Sequence, residues 1–370
     1  MKFSCNRDIL DRQLQFVSRV VTTRTSMPIL SNLLLETDKD FIRISATDLE
    51  LAIATTVPAT IEQQGSFTIP AKLFQDFVHQ NPDSVVSFLL TSSELTCTSD
   101  QVTATIPGID PEEYPPLPVV KETTEVVLGL QDVVDALKQV VIACAQDQGR
   151  PVLTGVLTKF SPEGTTFAAT DSFRLVERHL PKAVVSEERE VLIPVRTIQE
   201  LIRIAGQLPD EDQMKILLSD NQLVIQVGGV EMYSRLLTGN FPKYQAIIPK
   251  EFLAYVKVSV TEFSQALRLT TVFSTSGITN VIIDVNEEGN VTLSNYATQR
   301  GGAKHTLKTK LEAGFKPVKA AFNTRYLLDA LGVTGESEVE LQISGKTSPL
   351  VVSVGSPDYT QLVMPIRLDA

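Results

Sequence analysis

GIDPEEYPPLP (108–118), GNFPKYQAIIP (239–249) and GSPDYTQLVMP (355–365) read as three versions of one phrase. Each runs from a glycine to a proline, with Pro111, Pro242 or Pro357 and Tyr114, Tyr244 or Tyr359 in between. A second phrase recurs upstream of each: FTIPAKLFQDF (67–77), VLIPVRTIQEL (191–201) and AAFNTRYLLDA (320–330). A third pairs SATDLEL (45–51) with AATDSFRL (168–175), and more weakly with LSNYATQR (293–300). Like segments at a fixed spacing are the mark of an array, and a period of roughly 120 residues makes each unit a whole domain rather than a solenoid turn. The expected boundaries are 1–118, 119–249 and 250–370. A threefold chain is more easily explained as a scaffold than as one catalytic pocket.

Length and composition agree with this division. A chain of 370 residues exceeds what one hydrophobic core usually covers. With 43% hydrophobic and 21% charged residues, each third can bury a core of its own. Cys5, Cys97 and Cys144 are too few and too scattered for a disulfide framework, so reduced thiols and a cytoplasmic location are expected. The start, MKFSCNRDILDRQ, has no apolar run of the kind a secretory signal needs. No stretch is apolar enough to predict a membrane span. A net charge of −11 argues at face value against a nucleic-acid partner.

Each third opens with a helical pattern. Asn6 is a candidate N-cap, with Ile9, Leu10, Gln13, Leu14, Val17, Val20 and Val21 on one stripe. Val133, Val134, Leu137, Val140 and Val141 repeat that spacing, and Thr261 to about Phe273 does so more weakly. Alternating or β-branched runs follow, such as FIRISA and GSFTIP, and predict strands. The second phrase predicts another short helix, with Pro70 and Pro194 at the first helical position and Asn323 as N-cap. Linkers are expected at Pro115–Thr124 and near Pro249–Leu253. The fold class is therefore α+β, in which each unit backs an antiparallel sheet with a helix pair.

Inside that second helix, Lys72, Arg196 and Arg325 occupy one repeat position. A cation in a helix's first turn opposes the macrodipole by about 0.3–1 kcal/mol. Three in register suggest a charge that serves something outside the helix, such as a phosphate backbone; the alternative is an ordinary solvated face. Arg203 lies further along the second of these helices, and Arg24 and Arg150 sit in loops after the first helices. An acidic total is compatible with a basic surface if the two signs are segregated.

Catalytic patterns are sparse. His79, His179 and His305 have no helical spacing to one another, and with scattered cysteines they predict no metal site; no cofactor is expected. Phosphate-cradling glycine loops and a G-x-S-x-G elbow are missing from the text. Asp48 and Asp171 recur after strands, where a turn device is the simplest reading. Glu112 and Glu113 read as a solvated acidic patch. Two classes remain: a binding scaffold, or a multidomain α+β enzyme with ATDSFRL and FPKYQAIIP forming a substrate cleft. An enzyme would concentrate titratable residues in one repeat, whereas here a cation is shared by all three.

ATD-x-x-RL, FP-x-Y-x-x-I-IP and VMP-x-RL, in that order and spread over the whole chain, resemble the bacterial DNA polymerase III beta subunit family, the sliding clamps. The resemblance implies three similar clamp domains, each with an outer antiparallel sheet and two inner helices, in a homodimeric closed ring. It implies a non-enzymatic function: encircling double-stranded DNA and tethering the replicative polymerase. On this reading Arg24, Lys72, Arg150, Arg196, Arg203 and Arg325 bind DNA without base readout. The implied partners are the polymerase III core, the clamp loader and other clamp-binding-motif proteins, with no membrane. They would dock in a pocket between the second and third domains, carried here by Thr170, Ser172, Arg174, Leu175, Pro242, Ile247, Leu362, Met364, Pro365, Ile366 and Arg367. Where the family often has Gly-His this chain has Ser172 and Phe173. Ala246 stands where Arg is common, Pro151 and Val152 where aromatics are common, and Asp369 and Ala370 extend past the usual last leucine. The dimer contact is expected between about 101–107 and about 264–285.

Overall fold

The computed structural model describes residues 1–21, 27–118, 120, 124–147, 149–182, 185–273, 279–295, 301–307, 309, 311 and 314–367. One element order is written three times. The first repeat holds β1 (Lys2–Asn6), α1 (Arg7–Val17), β2 (Asn32–Asp38), β3 (Phe41–Thr47), β4 (Leu51–Gln63), β5 (Ser66–Pro70), α2 (Ala71–Gln80), β6 (Val85–Thr91), β7 (Glu94–Thr98) and β8 (Thr103–Pro107). The second holds β9 (Thr124–Gly129), α3 (Leu130–Val140), β10 (Gly155–Ser161), β11 (Gly164–Thr170), β12 (Arg174–Leu180), β13 (Arg189–Pro194), α4 (Val195–Ala205), β14 (Gln213–Leu218), β15 (Gln222–Val227) and β16 (Val230–Arg235). The third holds β17 (Ala254–Ser259), α5 (Val260–Val272), β18 (Asn280–Val285), β19 (Val291–Ser294), β20 (Lys304–Leu307), β21 (Val318–Asn323), α6 (Thr324–Gly332), β22 (Glu338–Ile343), β23 (Leu350–Ser353) and β24 (Tyr359–Val363). A short β25 (Pro365–Ile366) follows.

Local chemistry explains the element ends. Asn6 caps α1 by accepting the Ile9 N–H at 3.0 Å, and Asn323 caps α6 by accepting the Arg325 N–H at 2.9 Å. Pro70 lies one residue earlier than the first helical turn: with ψ at 116° it ends β5 and occupies the cap position of α2. Helix α1 stops at Val17, so Val20 is buried from outside the helix, while Ile9 on the expected stripe is 40% exposed and Phe16 is fully buried.

The second phrase falls on the same place in every repeat, ending a strand and starting α2, α4 or α6. The opening phrase does not. Residues 108–118 and 239–249 follow the last strand of their repeats, whereas 355–365 contains β24 itself. The third Gly–Pro–Tyr window is thus a likeness of letters, since Tyr359 is a strand residue and Tyr114 and Tyr244 lie at or in short 3₁₀ turns.

The described chain forms two compact units. One comprises Met1–Gln131 with Arg203–Leu236, the other Asp132–Ile202 with Leu237–Ala370, so the second repeat contributes to both. In the first unit a sheet runs β8-β7-β6-β1-β4-β16-β15-β14-β9, with β2, β3 and β5 branching from β4. Its core centres on Phe3 stacked on Phe88 at 4.7 Å, with Phe74 edge-on to Phe88 at 5.8 Å beneath α1 and α2. The second unit has a sheet β13-β10-β11-β12-β24-β23-β22-β17 and another, β20-β19-β18-β21-β25. Phe263, Leu267, Phe322 and Leu327 fill the core under α5 and α6.

Strands cross between repeats in one fixed way. The fourth strand of repeat one, β4, pairs antiparallel with the last strand of repeat two, β16, from Val230–Thr55 to Ser234–Leu51. The fourth strand of repeat two, β12, pairs in the same sense with the last strand of repeat three, β24, from Arg174–Val363 to Arg178–Tyr359. The remaining members of this series are β20 and β8. Among the described residues each has one neighbour, β19 and β7 respectively.

Candidate functional site

The Thr-Asp turns between the third and fourth strands are built alike in the first two repeats. Asp48 Oδ1 accepts the N–H groups of Glu50 and Leu51, at 3.1 and 2.9 Å. Asp171 Oδ1 accepts those of Phe173 and Arg174, at 2.9 and 3.0 Å. Thr47 and Thr170 each accept one backbone N–H and donate to a carbonyl four residues on. The next residue turns left-handed, Leu49 at φ 78° and Ser172 at φ 77°. Glycine adopts that conformation without strain, whereas Leu49 and Ser172 hold it with a side chain attached. In the third repeat Asn295 follows β19 in the equivalent place and accepts the Ala303 N–H at 2.7 Å; residues 296–300 lie outside the described set.

Beside the second of these turns lies a cavity of about 180 Å³. Thr170, Ser172 and Arg174 come from the turn, Pro242 and Ile247 from the loop after β16, and Leu362 and Met364 from β24 and its end. The structure thus gathers seven of the expected pocket residues. Leu175 is fully buried in the cluster behind it, with Leu157, Tyr244 and Leu362. Pro365 and Ile366 turn away as β25, pairing with Phe322 and Ala321, and Arg367 is exposed beyond them.

Three lining residues were not expected there. Arg150, assigned to DNA from its loop position, lines this cavity and donates from Nη1 to Ser172 Oγ at 3.2 Å. Lys243 and Tyr244 complete the wall. Their signal was in the text, because both stand inside the GNFPKYQAIIP phrase between Pro242 and Ile247. Tyr244 donates its hydroxyl to Glu177, and burial, then that bond, hold its phenol well above the ordinary range.

Arg174 is the electrostatic hub. It is only 8% exposed, and its guanidinium donates to Asp171 at 3.0 Å and to Asp329 on α6 at 2.7 Å. It also lies over the Tyr326 ring, 4.5 Å from the centroid, and Phe173 stacks on that same ring at 6.5 Å. An arginine fork bound to carboxylates and laid on an aromatic face cannot be replaced by lysine without loss.

Of the cations assigned to DNA, Lys72, Arg196 and Arg325 are each the second residue of their helix, and each is exposed. Arg203 differs. Its Nη1 and Nη2 donate to the carbonyls of Gln15 and Phe16 at 3.1 and 3.0 Å, capping the C-terminal end of α1. Its charge meets the negative pole of that helix and satisfies carbonyls that have no intrahelical partner. Arg24 lies outside the described residues.

His79 lies in the last turn of α2 and pairs with Asp11 at 3.1 Å, and His179 bonds Thr166 at 3.0 Å. His305 on β20 has a buried Nε2 without a hydrogen-bond partner among the described residues. The cysteines are buried thiols, each pushed up to about 12 by desolvation. Among the described residues no helix is long and apolar enough to cross a membrane.

Three α+β repeats joined by shared strand ladders, with one cationic position per repeat and an apolar pocket at the second junction, define the class: a clamp made of like domains. The comparisons agree on which clamp. The family models for the DNA polymerase III beta subunit match in order, the N-terminal domain over residues 1–118, the central domain over 128–243 and the C-terminal domain over 245–367. This chain belongs to that family. It is 32% identical to the beta sliding clamp of Synechococcus elongatus and 30% identical to that of Synechocystis, covering 100% of each. The sliding clamp of Bacillus subtilis matches at a TM-score of 0.94 with 25% identity, over 100% of both chains.

Proposed function

We propose that this chain is a DNA sliding clamp: a processivity factor that encircles duplex DNA as a closed ring of two copies and holds the replicative polymerase on its template without catalysing a reaction. The observation that carries this reading is the strand series. Twice within the chain a fourth strand pairs antiparallel with the last strand of the following repeat, β4 with β16 and β12 with β24. The same step taken once more joins β20 of one copy to β8 of another, and taken reciprocally it closes the circuit. An edge strand left bare is an aggregation hazard, so a dedicated partner for β8 and β20 is physically reasonable.

The third repeat's share of that contact is the β20 edge rather than β18, which is interior to its sheet. Helix α5 packs against β20 and exposes Leu269 by 52% and Val272 by 68%, within the 264–285 range expected from sequence. Lys72, Arg196 and Arg325 supply phosphate contacts that carry no base information, which suits a protein that must slide past every sequence. Arg203 is left out of that set because its guanidinium caps α1. The pocket at Thr170, Ile247, Leu362 and Met364 serves as the dock for hydrophobic peptide anchors on polymerase and loader, and methionine there lets one site repack around several partners.

Loading the protein onto nicked circular DNA tests the reading. It should remain on the circle, leave within minutes once the circle is linearised, and sediment as a dimer. The Leu269→Glu, Val272→Glu variant should sediment as a monomer and fail to be retained. Equal retention on circular and linear DNA would sink the proposal.

A further inference from the structure

The segments around the cavity have counterparts in the first unit, and the two sets share one frame. Pro28–Ser31 and Pro151–Thr154 are matching 3₁₀ turns, closed by Ser31 Oγ donating to the Pro28 carbonyl at 2.6 Å and Thr154 Oγ1 to that of Pro151 at 2.7 Å. The turns at Asp48 and Asp171 match bond for bond. At the end of the last strand the Arg235 N–H donates to the Glu50 carbonyl at 3.0 Å, as the Met364 N–H does to that of Phe173 at 2.8 Å. Tyr114 packs with Leu34 as Tyr244 does with Leu157, and its hydroxyl donates to the Ser45 carbonyl at 3.4 Å. The first frame lies wholly within the first unit and the second within the second.

What the frames carry differs. Segments 27–31, 47–51, 108–114 and 233–236 hold five carboxylates, Asp48, Glu50, Asp110, Glu112 and Glu113, against the one guanidinium of Arg235. Segments 150–154, 170–174, 239–244 and 362–365 hold the cations Arg150, Arg174 and Lys243 against Asp171. The first frame also displays apolar side chains: Met27, 39% exposed, in place of Arg150, and Leu49, 44% exposed, in place of Ser172. Leu49 is held at φ 78°, a conformation that strains a leucine. A strained residue with nearly half its side chain in water does little for folding, and such outliers cluster where a protein meets its ligands. We infer that the first frame is a second docking surface, whose partner is a protein segment with an apolar anchor flanked by lysine or arginine. Leu49 and Met27 supply the apolar contact, and Glu50, Glu112 and Glu113 supply the complementary charge. The same carboxylates repel a phosphate backbone or an anionic membrane. This goes beyond the clamp reading, and it depends neither on ring closure nor on the second frame's cavity being a dock.

The test is a displayed library of short random peptides selected against the full-length Ile247→Glu protein, in which a charge blocks the second frame's cavity. The enriched sequences are then titrated by fluorescence against that protein and against the same protein carrying Leu49→Gly. They should hold an apolar residue beside lysine or arginine, and should bind the Leu49→Gly protein about tenfold more weakly. Since that substitution relieves strain, a urea melt of equal or greater stability separates lost recognition from misfolding. Glu112→Lys with Glu113→Lys changes only exposed positions, and so tests the surface independently of the turn. It should weaken the same peptides about tenfold at moderate salt, less as salt rises, and should reverse their preference, so that aspartate in place of their lysine improves binding. Enriched peptides that bind the Leu49→Gly protein undiminished would mean attraction to the acidic chain in general, and would overturn the inference. So would Leu49-dependent peptides without basic residues, or a library that yields none. Association of dimers in sedimentation that is lost in Leu49→Gly would make a second copy the occupant and likewise overturn it.

Discussion

Replacing Arg174 with alanine should destabilise the second unit by about 3 kcal/mol. Removing one member of a buried ion pair generally costs about 3–5 kcal/mol because the other charge is left uncompensated. Two features of this site move that figure down. Asp171 keeps two backbone N–H donors, and Asp329 is 35% exposed, so water takes over part of the solvation of each carboxylate. One moves it up: the guanidinium also covers the Tyr326 ring, a contact worth about 0.5–1 kcal/mol at a partly desolvated site. The chain has no tryptophan, so urea unfolding is best followed by far-UV circular dichroism. Arg174→Lys should recover less than half of the loss, since a single ammonium cannot bridge two carboxylates and lie flat on a ring. A double-mutant cycle with Asp329→Asn should return a coupling of about 1–2 kcal/mol. A loss under about 0.5 kcal/mol for Arg174→Ala, which is the range of ordinary surface changes, would refute the reasoning.

Leu49→Gly should stabilise the first unit by about 1 kcal/mol in urea, because a leucine at φ 78° is strained and its side chain is already 44% exposed. Arg203→Ala should lower stability by about 1–2 kcal/mol through the uncapped end of α1 while leaving retention on circular DNA unchanged; Lys72→Glu with Arg196→Glu and Arg325→Glu should do the reverse. Stability should fall as pH rises above about 9. The unfolded thiols ionise from about 9 upward while Cys5, Cys97 and Cys144 stay protonated in the fold up to about 12. Over that window the native state binds more protons than the unfolded one, which favours unfolding by up to about 1.4 kcal/mol per thiol per pH unit. Replacing the three cysteines with alanine should flatten that decline, as measured by urea midpoints between about pH 8 and about pH 11.

What could be read from the letters was whatever is set locally. Asn6 and Asn323 are caps because their side chains reach N–H groups two or three residues on, and the Thr-Asp turns are likewise closed within five residues. The repeat position of Lys72, Arg196 and Arg325 was legible because it hangs on a strand-to-helix boundary that recurs. Long-range partners were not legible. Nothing near Arg203 announces that the carbonyls of Gln15 and Phe16 will stand in front of it. Arg150 looked like a loop cation until the chain brought Ser172 alongside. The opening phrase misled at its third occurrence because glycine, proline and tyrosine are permitted both around a short 3₁₀ turn and across a strand. The pocket's apolar residues came through family likeness, while Arg150 and Lys243 join its lining only once the chain is folded.

The sharing of strands between repeats also sets a timetable for synthesis. The first unit needs residues 203–236 before its sheet is complete, yet 132–202 leave the ribosome in between. Those intervening residues include β12, whose neighbour β24 is made almost at the end of the chain. During elongation the nascent protein therefore carries first the margin of β4 and then that of β12 uncovered, so each repeat is protected only after the next has emerged. Pauses in translation placed after residue 236 would favour orderly assembly, and pauses between 131 and 203 would prolong exposure of an unfinished sheet.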